Sequence, residues 1–552
     1  MTKQFSNYSD LITFTRASKG HALRPVSYGD ELVTNGTFDT DLTGWDDDSV
    51  GTGTATVSSG QVSLSRVDSS NRGGISQSHT LVTGAMYLVS FELVSGAVQV
   101  KYKGGSGSLS QYFNGEDWNQ LTTAGVYQTR FVATGTDGDI SLLAINNGVT
   151  AVLDNISVKE VTFDQPDGTL TLFEHPDDVP RVEYDADGNR LGLLVEEART
   201  NLLHYSEDFS QSYWNKTAAT ISTDVTTAPD GTTTADKLVV NNATADTEKF
   251  VNRNIYAYVN QTVTGSVFLK KAEYTWVQVN LYNLSSNPNR VWVNLDTGAV
   301  GTNLSSIPVT VTDVGNGWYR VALTATIQQV GNAFMTVAVA DADGDLYTNI
   351  GDEESGTFLW GAQLEAGSFP TSYIKSNSGS TTTRSADVAS IPVADFGLNR
   401  SSYSMLLEAI SSAPDNGAGT GNNSNSIAQL ETSASNYSSL GIGSTSTRTN
   451  RPSLASRNNA GTIVSAGDVA SLDNTFDEGL LVKFSASFDV DSGTIAGSVN
   501  GSTVFSSTGS VAGVDLPFSD LKFGDGQGAV YIKSIKYYPR RLTDAQLVDL
   551  TS

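Results

Sequence analysis

Cysteine is absent from the 552 residues, which excludes disulfide staples and thiolate metal sites and removes any redox argument about compartment. Histidine is nearly absent too, with four residues, His21, His79, His175 and His204. No two of them share a short metal-ligand spacing or a catalytic string, so they read as surface or satisfied histidines. Basic charge is scarce: 33 Lys and Arg stand against 59 Asp and Glu, a formal charge of −26. Such a chain repels phosphate backbones and anionic lipid, so neither nucleic acid nor a membrane surface is an expected partner. No apolar run of membrane-spanning length occurs, and the opening MTKQFSNYSDLITFTRASKG has no signal-peptide core. A soluble chain without an encoded Sec export signal is therefore expected.

What is present points to strands. With 52 Gly against 13 Pro, 38% hydrophobic and 17% charged residues, the composition is globular and leans toward turns and short strands. The length predicts several domains. Residues 87–100 (YLVSFELVSGAVQV), 263–281, 318–326 and 334–340 are rich in β-branched and aromatic residues, with Gly, Asn, Asp and Ser clusters between them. The one helical stretch is 542–550, where Thr543 can cap a short turn carrying Leu547 and Leu550.

An internal repeat organises the first two-thirds. ELVTNGTFDTDLTGW (31–45) and NLLHYSEDFSQSYW (201–214) share an apolar pair, a Phe and a Trp; YQTRFVATG (127–135) pairs with WYRVALTAT (318–326). Each copy closes on a strand, AVLDNISVKEV (151–161) and FLWGAQLEAG (358–367). Residues 377–399, Ser/Thr-rich, read as a linker, and alternation resumes after it, with Asn500-Gly501 marking a tight hairpin turn. The expectation is all-β: three antiparallel β-sandwich (jelly-roll) domains plus a small N-terminal β unit. Its boundaries are an N-terminal segment 1–27 pairing with a hairpin unit 162–200, an inserted jelly roll 28–161, a middle sandwich 201–376, the linker, and a last sandwich 400–552.

Four strings carry a resemblance. FTRASKG (14–20), VPRVEYDADGNRLGLLVEEARTNLL (179–203), LWGAQLEAGSFPTSYI (359–374) and TTTRSADVASI (381–391) occur in this order and resemble a family of tailed-bacteriophage virion proteins. In that family only a short linker separates the first two strings, whereas this chain has 27–161 there, so the first sandwich looks inserted. The insert, opening on NGTFDTDLTGW and closing on LDNISVKEV, is similar to carbohydrate-binding-module jelly rolls. The last domain, with SVNGSTVF and IKSIKYYPRRLTDAQLVDL, resembles concanavalin or laminin-G-like sandwiches. Fold likeness of this kind does not fix function.

Two acidic strings invite a calcium reading. DADGNRLGLLVE (185–196) lacks the sharp-turn Gly of an EF-hand loop, since Arg190 stands there, and ADADGD (340–345) is followed by Leu346 at that position; both read as solvated turns. The likeness to carbohydrate-binding sandwiches implies a structural calcium between the first loop and last strand of the insert, at Asp39 and Asp154; no cofactor is required. Sugar rings stack on flat aromatic faces. Trp45, Trp214, Trp318 and Trp360 sit in repeated strings and read as core. Trp118, in FNGEDWNQL beside KGGSGSLSQY, either covers one end of the sandwich or lines a glycan cleft with Tyr102 and Tyr112.

The reading is a non-enzymatic phage virion surface protein, a fibre, appendage or decoration presenting sandwiches for adhesion to host cell-surface polysaccharide, with other virion proteins as partners. Glycan contact is expected in the outer sandwiches rather than the middle one, and a homotrimer would form through sandwich faces or attachment symmetry, since long heptads are absent. The alternatives are a purely structural capsid or tail cementing protein, a polysaccharide depolymerase with a carboxylate pair placed by folding, and a host-encoded glycan-binding protein.

Overall fold

The computed structural model describes residues 12–105, 108–109, 112–113, 116–117, 120–165, 167–242, 248–257, 261–282, 289–327, 331–345, 351–376, 379–411, 425–433, 436–445, 448–457, 463–466, 480–489, 492–508, 518–523 and 529–552. The described residues are all-β, 58% strand and 3% helix, in antiparallel sheets with no barrel among them. The chain divides into two compact units, one of Pro25–Thr169 and one of Met1–Arg24 with Leu170–Ser552.

In the unit of Pro25–Thr169, one sheet orders Gly125–Val132, Met86–Ser95 and Val149–Phe163, and the other orders Gly74–Thr80, Asp137–Ala144 and Val98–Gly104. Alternation along Met86–Ser95 sends Tyr87, Val89, Phe91 and Leu93 into the core with Phe38, Leu142 and Leu153. The opening loop is fastened to the closing strand by Glu31, whose carboxylate accepts from the Val33 and Val158 amides and the Ser157 hydroxyl at 3.1, 2.8 and 2.6 Å.

The larger unit holds two sandwiches. In the first, one sheet orders Ala219–Thr226, Ala235–Val240, Gly356–Ala366, Thr262–Lys271, Trp318–Thr326 and Val309–Asp313. The facing sheet orders Asn215–Thr217, Phe250–Ala257, Gly331–Ala340, Trp276–Tyr282, Arg290–Asn294 and Val300–Asn303. Val267, Leu269, Val277, Val293, Val337 and Leu359 fill the space between them. Its entrance repeats a device of the other unit. Trp45 packs on Phe38 and donates its indole N–H to the Asn35 carbonyl at 3.0 Å; Trp214 packs on Phe209 and donates to the Tyr205 carbonyl at 3.0 Å.

The last sandwich recruits distant strands to both of its sheets. Thr13–Thr15 pairs with Val388–Pro392, which pairs with Asp520–Phe523, while the hairpin Arg181–Tyr184 and Arg190–Glu196 joins Ala529–Tyr538 and Ser402–Ser411. Residues 377–399, expected as a linker, instead supply the strands Thr382–Arg384 and Val388–Pro392 and a helical turn Val393–Phe396. Ala389 and Ile391 alternate into the core there, and the ladder bonds of neighbouring strands satisfy the Ser/Thr-rich backbone. The Asn500-Gly501 turn has φ of 46° and 72°, the left-handed pair that a two-residue hairpin needs. Thr543 caps the terminal helix Asp544–Thr551 in a capping box with Gln546, and Leu547 is buried.

The four separated strings meet in one buried ion network. Asp387 bridges Arg16 (3.2 Å) and Arg181 (2.5 Å), Glu196 takes Arg181 (2.9 Å) and Arg384 (3.5 Å), and Ser372 donates its hydroxyl to Glu196 at 2.6 Å. Burial pushes the Glu196 carboxyl up, but Arg384, Arg181 and the Ser372 bonds outweigh it and hold the group at about 2. Arg16 falls to about 10 through burial and the neighbouring Arg181.

Candidate functional site

The residues singled out in the sequence do not assemble into one site. Trp118 lies outside the described residues; Tyr112 falls in a two-residue strand, Tyr112–Phe113, paired with Glu116–Asp117. Tyr102 is not a cleft residue: it is 1% exposed, packs on Phe131 and shares a 2.6 Å hydrogen bond with His79. Strand alternation points its ring into the core beside Val98 and Val100, so no sugar can stack on it. Asp39 is exposed, and Asp154 accepts the Asn155 amide at 2.7 Å; among the described residues no group of three His, Asp or Glu is placed to hold a metal ion. The DADGN string is a hairpin turn in which Asp185 accepts from the Asp187 and Asn189 amides at 3.0 and 2.8 Å. His21 is buried against the Tyr373 carbonyl at 2.9 Å, and burial lowers it to about 4.

A different surface carries the chemistry. In the middle sandwich, the aliphatic residues of Trp276–Tyr282 and Arg290–Asn294 face the core, so their polar and aromatic residues share the opposite face. Three rows cross the adjacent strands in register. Asn252, Thr336, Asn280 and Arg290 form one; Phe250, Ala338, Gln278 and Trp292 form the next; Ala340, Trp276 and Asn294 form the third. Neighbouring strands lie about 4.8 Å apart, so the side chains of each row stand side by side.

Gln278 and Asn280 are 2% and 7% exposed although they face away from the core. The side-chain oxygens of both, and of Asn254, have no protein hydrogen-bond partner. Each such oxygen costs roughly 1–3 kcal/mol when left unpaired. Arg290 donates through one terminal nitrogen to Glu248 at 2.7 Å, and its Nε has no protein partner. Trp292 is fixed, donating its indole N–H to the Asp345 carbonyl at 2.7 Å. Trp276 is half-buried and lies over Gly301, where an added Cβ would stand 2.7 Å from its ring. Acceptors, a guanidinium donor and an indole therefore share one sheet face. Sequence reasoning passed over Trp276 and Trp292, although the alternation WVQVNL and RVWVN, with Gln278 and Asn280 on the same side as the indoles, is legible in the chain.

No family model matches the chain and no curated protein matches it. Among solved structures it is similar to the N-terminal CBM22-1–CBM22-2 tandem domain of Paenibacillus barcinonensis Xyn10C, at 12% identity and a TM-score of 0.20, over 62% of this chain and 98% of that one. A likeness at that level establishes neither a common fold nor a common ligand.

Proposed function

We propose that the protein is a non-enzymatic glycan-binding protein of a phage virion surface, and that the outer face of the middle sandwich is a sugar-binding surface. The observation that carries the glycan reading is the partly exposed set of Trp276, Asn294, Arg290 and Asn252 on this face, beside which the amide oxygens of Gln278, Asn280 and Asn254 have no protein partners while Trp292 is buried. Hydroxyl groups are the donors such oxygens accept, and an indole supplies the apolar face that sugar CH groups stack on. Two carboxylates described at this patch are already engaged, Glu248 by Arg290 and Asp343 by the Thr302 amide, which favours binding over turnover. The middle sandwich is proposed here beside the outer ones expected from the sequence, of whose candidates Tyr102 is core and Trp118 lies outside the described residues. The virion reading is supported by the four family-like strings, which this fold brings to one buried network. Many copies on one particle would turn weak single-site contacts into avidity.

The test is equilibrium titration of the full chain with a panel of bacterial capsular and exopolysaccharides, read by indole fluorescence. At least one polysaccharide should shift the emission saturably, without new reducing ends appearing. No response across the panel would overturn the glycan reading, and absence of the chain from purified particles by mass spectrometry would overturn the virion one.

A further inference from the structure

In the unit of Pro25–Thr169, four positions stand in one row where the strand Gln61–Arg66 ends and Val149–Phe163 begins. Val50 pairs with Arg72, Arg72 with Arg66, and Arg66 with Val149. Directly opposed residues of antiparallel strands point the same way, with Cβ atoms about 4.5–5.5 Å apart, so two guanidinium side chains leave the sheet together between two valines. Val50 and Val149 are 49% and 38% exposed, and Val67, next to Arg66 in the chain, is 54% exposed. Like charges set directly opposite each other destabilise a sheet. This chain opposes two arginines although its acidic residues outnumber the basic ones by 59 to 33.

Neither arginine is ion-paired among the described residues. Arg66 donates its Nε to the Asn147 side-chain oxygen at 2.9 Å and one terminal nitrogen to the Ala144 carbonyl at 3.2 Å, both neutral acceptors. Arg72 is half-buried, and its guanidinium has no hydrogen-bond partner among the described residues. Asp68 lies close enough to Arg66 to feel its charge, but its oxygens accept from the Ser70 and Asn71 amides and the Asn71 side chain at 2.8–3.0 Å. Asp47 accepts the Ser49 amide at 2.9 Å, and Asp48, two residues before Val50, makes no ion pair with either guanidinium. The main chain of the row is already paired: Val50 and Arg72 exchange amide bonds of 2.8 and 3.1 Å, and the Gly148 amide donates to the Arg66 carbonyl at 2.7 Å. An extended peptide docks by adding a strand to an unpaired edge, which this row does not present.

We propose that Arg66 and Arg72 together bind the carboxylate of a uronic-acid residue in an acidic polysaccharide, with the CH groups of the sugar ring against Val50 and Val149. A guanidinium is a planar fork that matches a carboxylate, and its charge-assisted hydrogen bonds are about twice as strong as neutral ones. A bound carboxylate also supplies the negative charge that relieves the opposed arginines. The site goes beyond the sheet face proposed for glycans: it belongs to the other compact unit, so removing that unit removes the uronate site and leaves the face.

Trimers of galacturonate, mannuronate and glucuronate, each beside its full methyl ester, are matched probes with and without the charge. Titration calorimetry on the full chain should show at least one trimer binding at least tenfold tighter than its ester. Arg72→Gln removes a guanidinium that holds nothing in the fold, so its thermal melt should match the native one while that binding falls at least tenfold. Should it not fold, Arg72→Lys, which keeps the charge but not the planar fork, should weaken the binding severalfold. No trimer bound by the native chain, an ester bound as tightly as its acid, or binding unchanged in either folded variant would each overturn the proposal. Triglutamate bound as tightly as the best trimer would overturn it in favour of an acidic peptide.

Discussion

At the scale of single residues, the account rests on polar groups placed where their partners are missing or fixed. Gln278 and Asn280 have oxygens without protein partners, so replacing the amide by an apolar group of similar size should not weaken the fold. Asn280→Leu is expected to melt at or above the native temperature, a result that a hydrogen-bonded structural amide would reverse. Tyr102 is the opposite case. Its hydroxyl is bonded to His79 inside the core, and Tyr102→Phe should cost about 1 kcal/mol in urea unfolding. Glu183 gives a pH signature. Its carboxyl sits at about 8 in the folded chain against an ordinary 4.5, so the fold holds a proton that the unfolded chain releases. The stability linked to that proton is complete below about 4.5 and is lost as pH rises through about 8. Glu183→Gln, neutral throughout, should flatten the loss of stability expected of the native chain between about pH 4.5 and pH 8. Glu196, held at about 2, works in the other direction, its contribution lost as pH falls below 4.5 toward 2.

At the scale of elements, the last sandwich depends on strands drawn from far away in the chain. Phe14, 7% exposed, enters its core from Thr13–Thr15. Phe14→Ala should therefore cost about 3–5 kcal/mol, as for other buried aromatics. Asp387 faces two arginines at the junction; Asp387→Asn leaves Arg16 and Arg181 short of a counter-charge and should cost about 3–5 kcal/mol in the same assay. The alternating strands, the Thr543 cap and the Asn500-Gly501 turn were legible because each is fixed by neighbours in sequence. The strand Val388–Pro392 was not, since its partners Thr13–Thr15 and Asp520–Phe523 lie far off in the chain and its Ser/Thr content mimics a connector. The binding face was half legible: period-two alternation places Trp276, Gln278 and Asn280 on one side, but only the register with Thr336, Asn252 and Arg290 shows that they form rows.

At the scale of the whole molecule, Pro25–Thr169 is a compact unit of its own. The ion network and both remaining sandwiches lie outside that unit. Deleting residues 28–161 should therefore leave a cooperatively melting protein, whereas an unfolded product would show that the unit is integral to the rest. The glycan face also lies outside the deleted unit, so the shortened chain should keep its sugar affinity. The most direct test of the central claim is a paired measurement on Gln278→Leu/Asn280→Leu, a thermal melt and a titration with the polysaccharide that the native chain binds. Loss of binding with an unchanged or raised melting temperature is the predicted result, and native affinity in the folded double variant would contradict it.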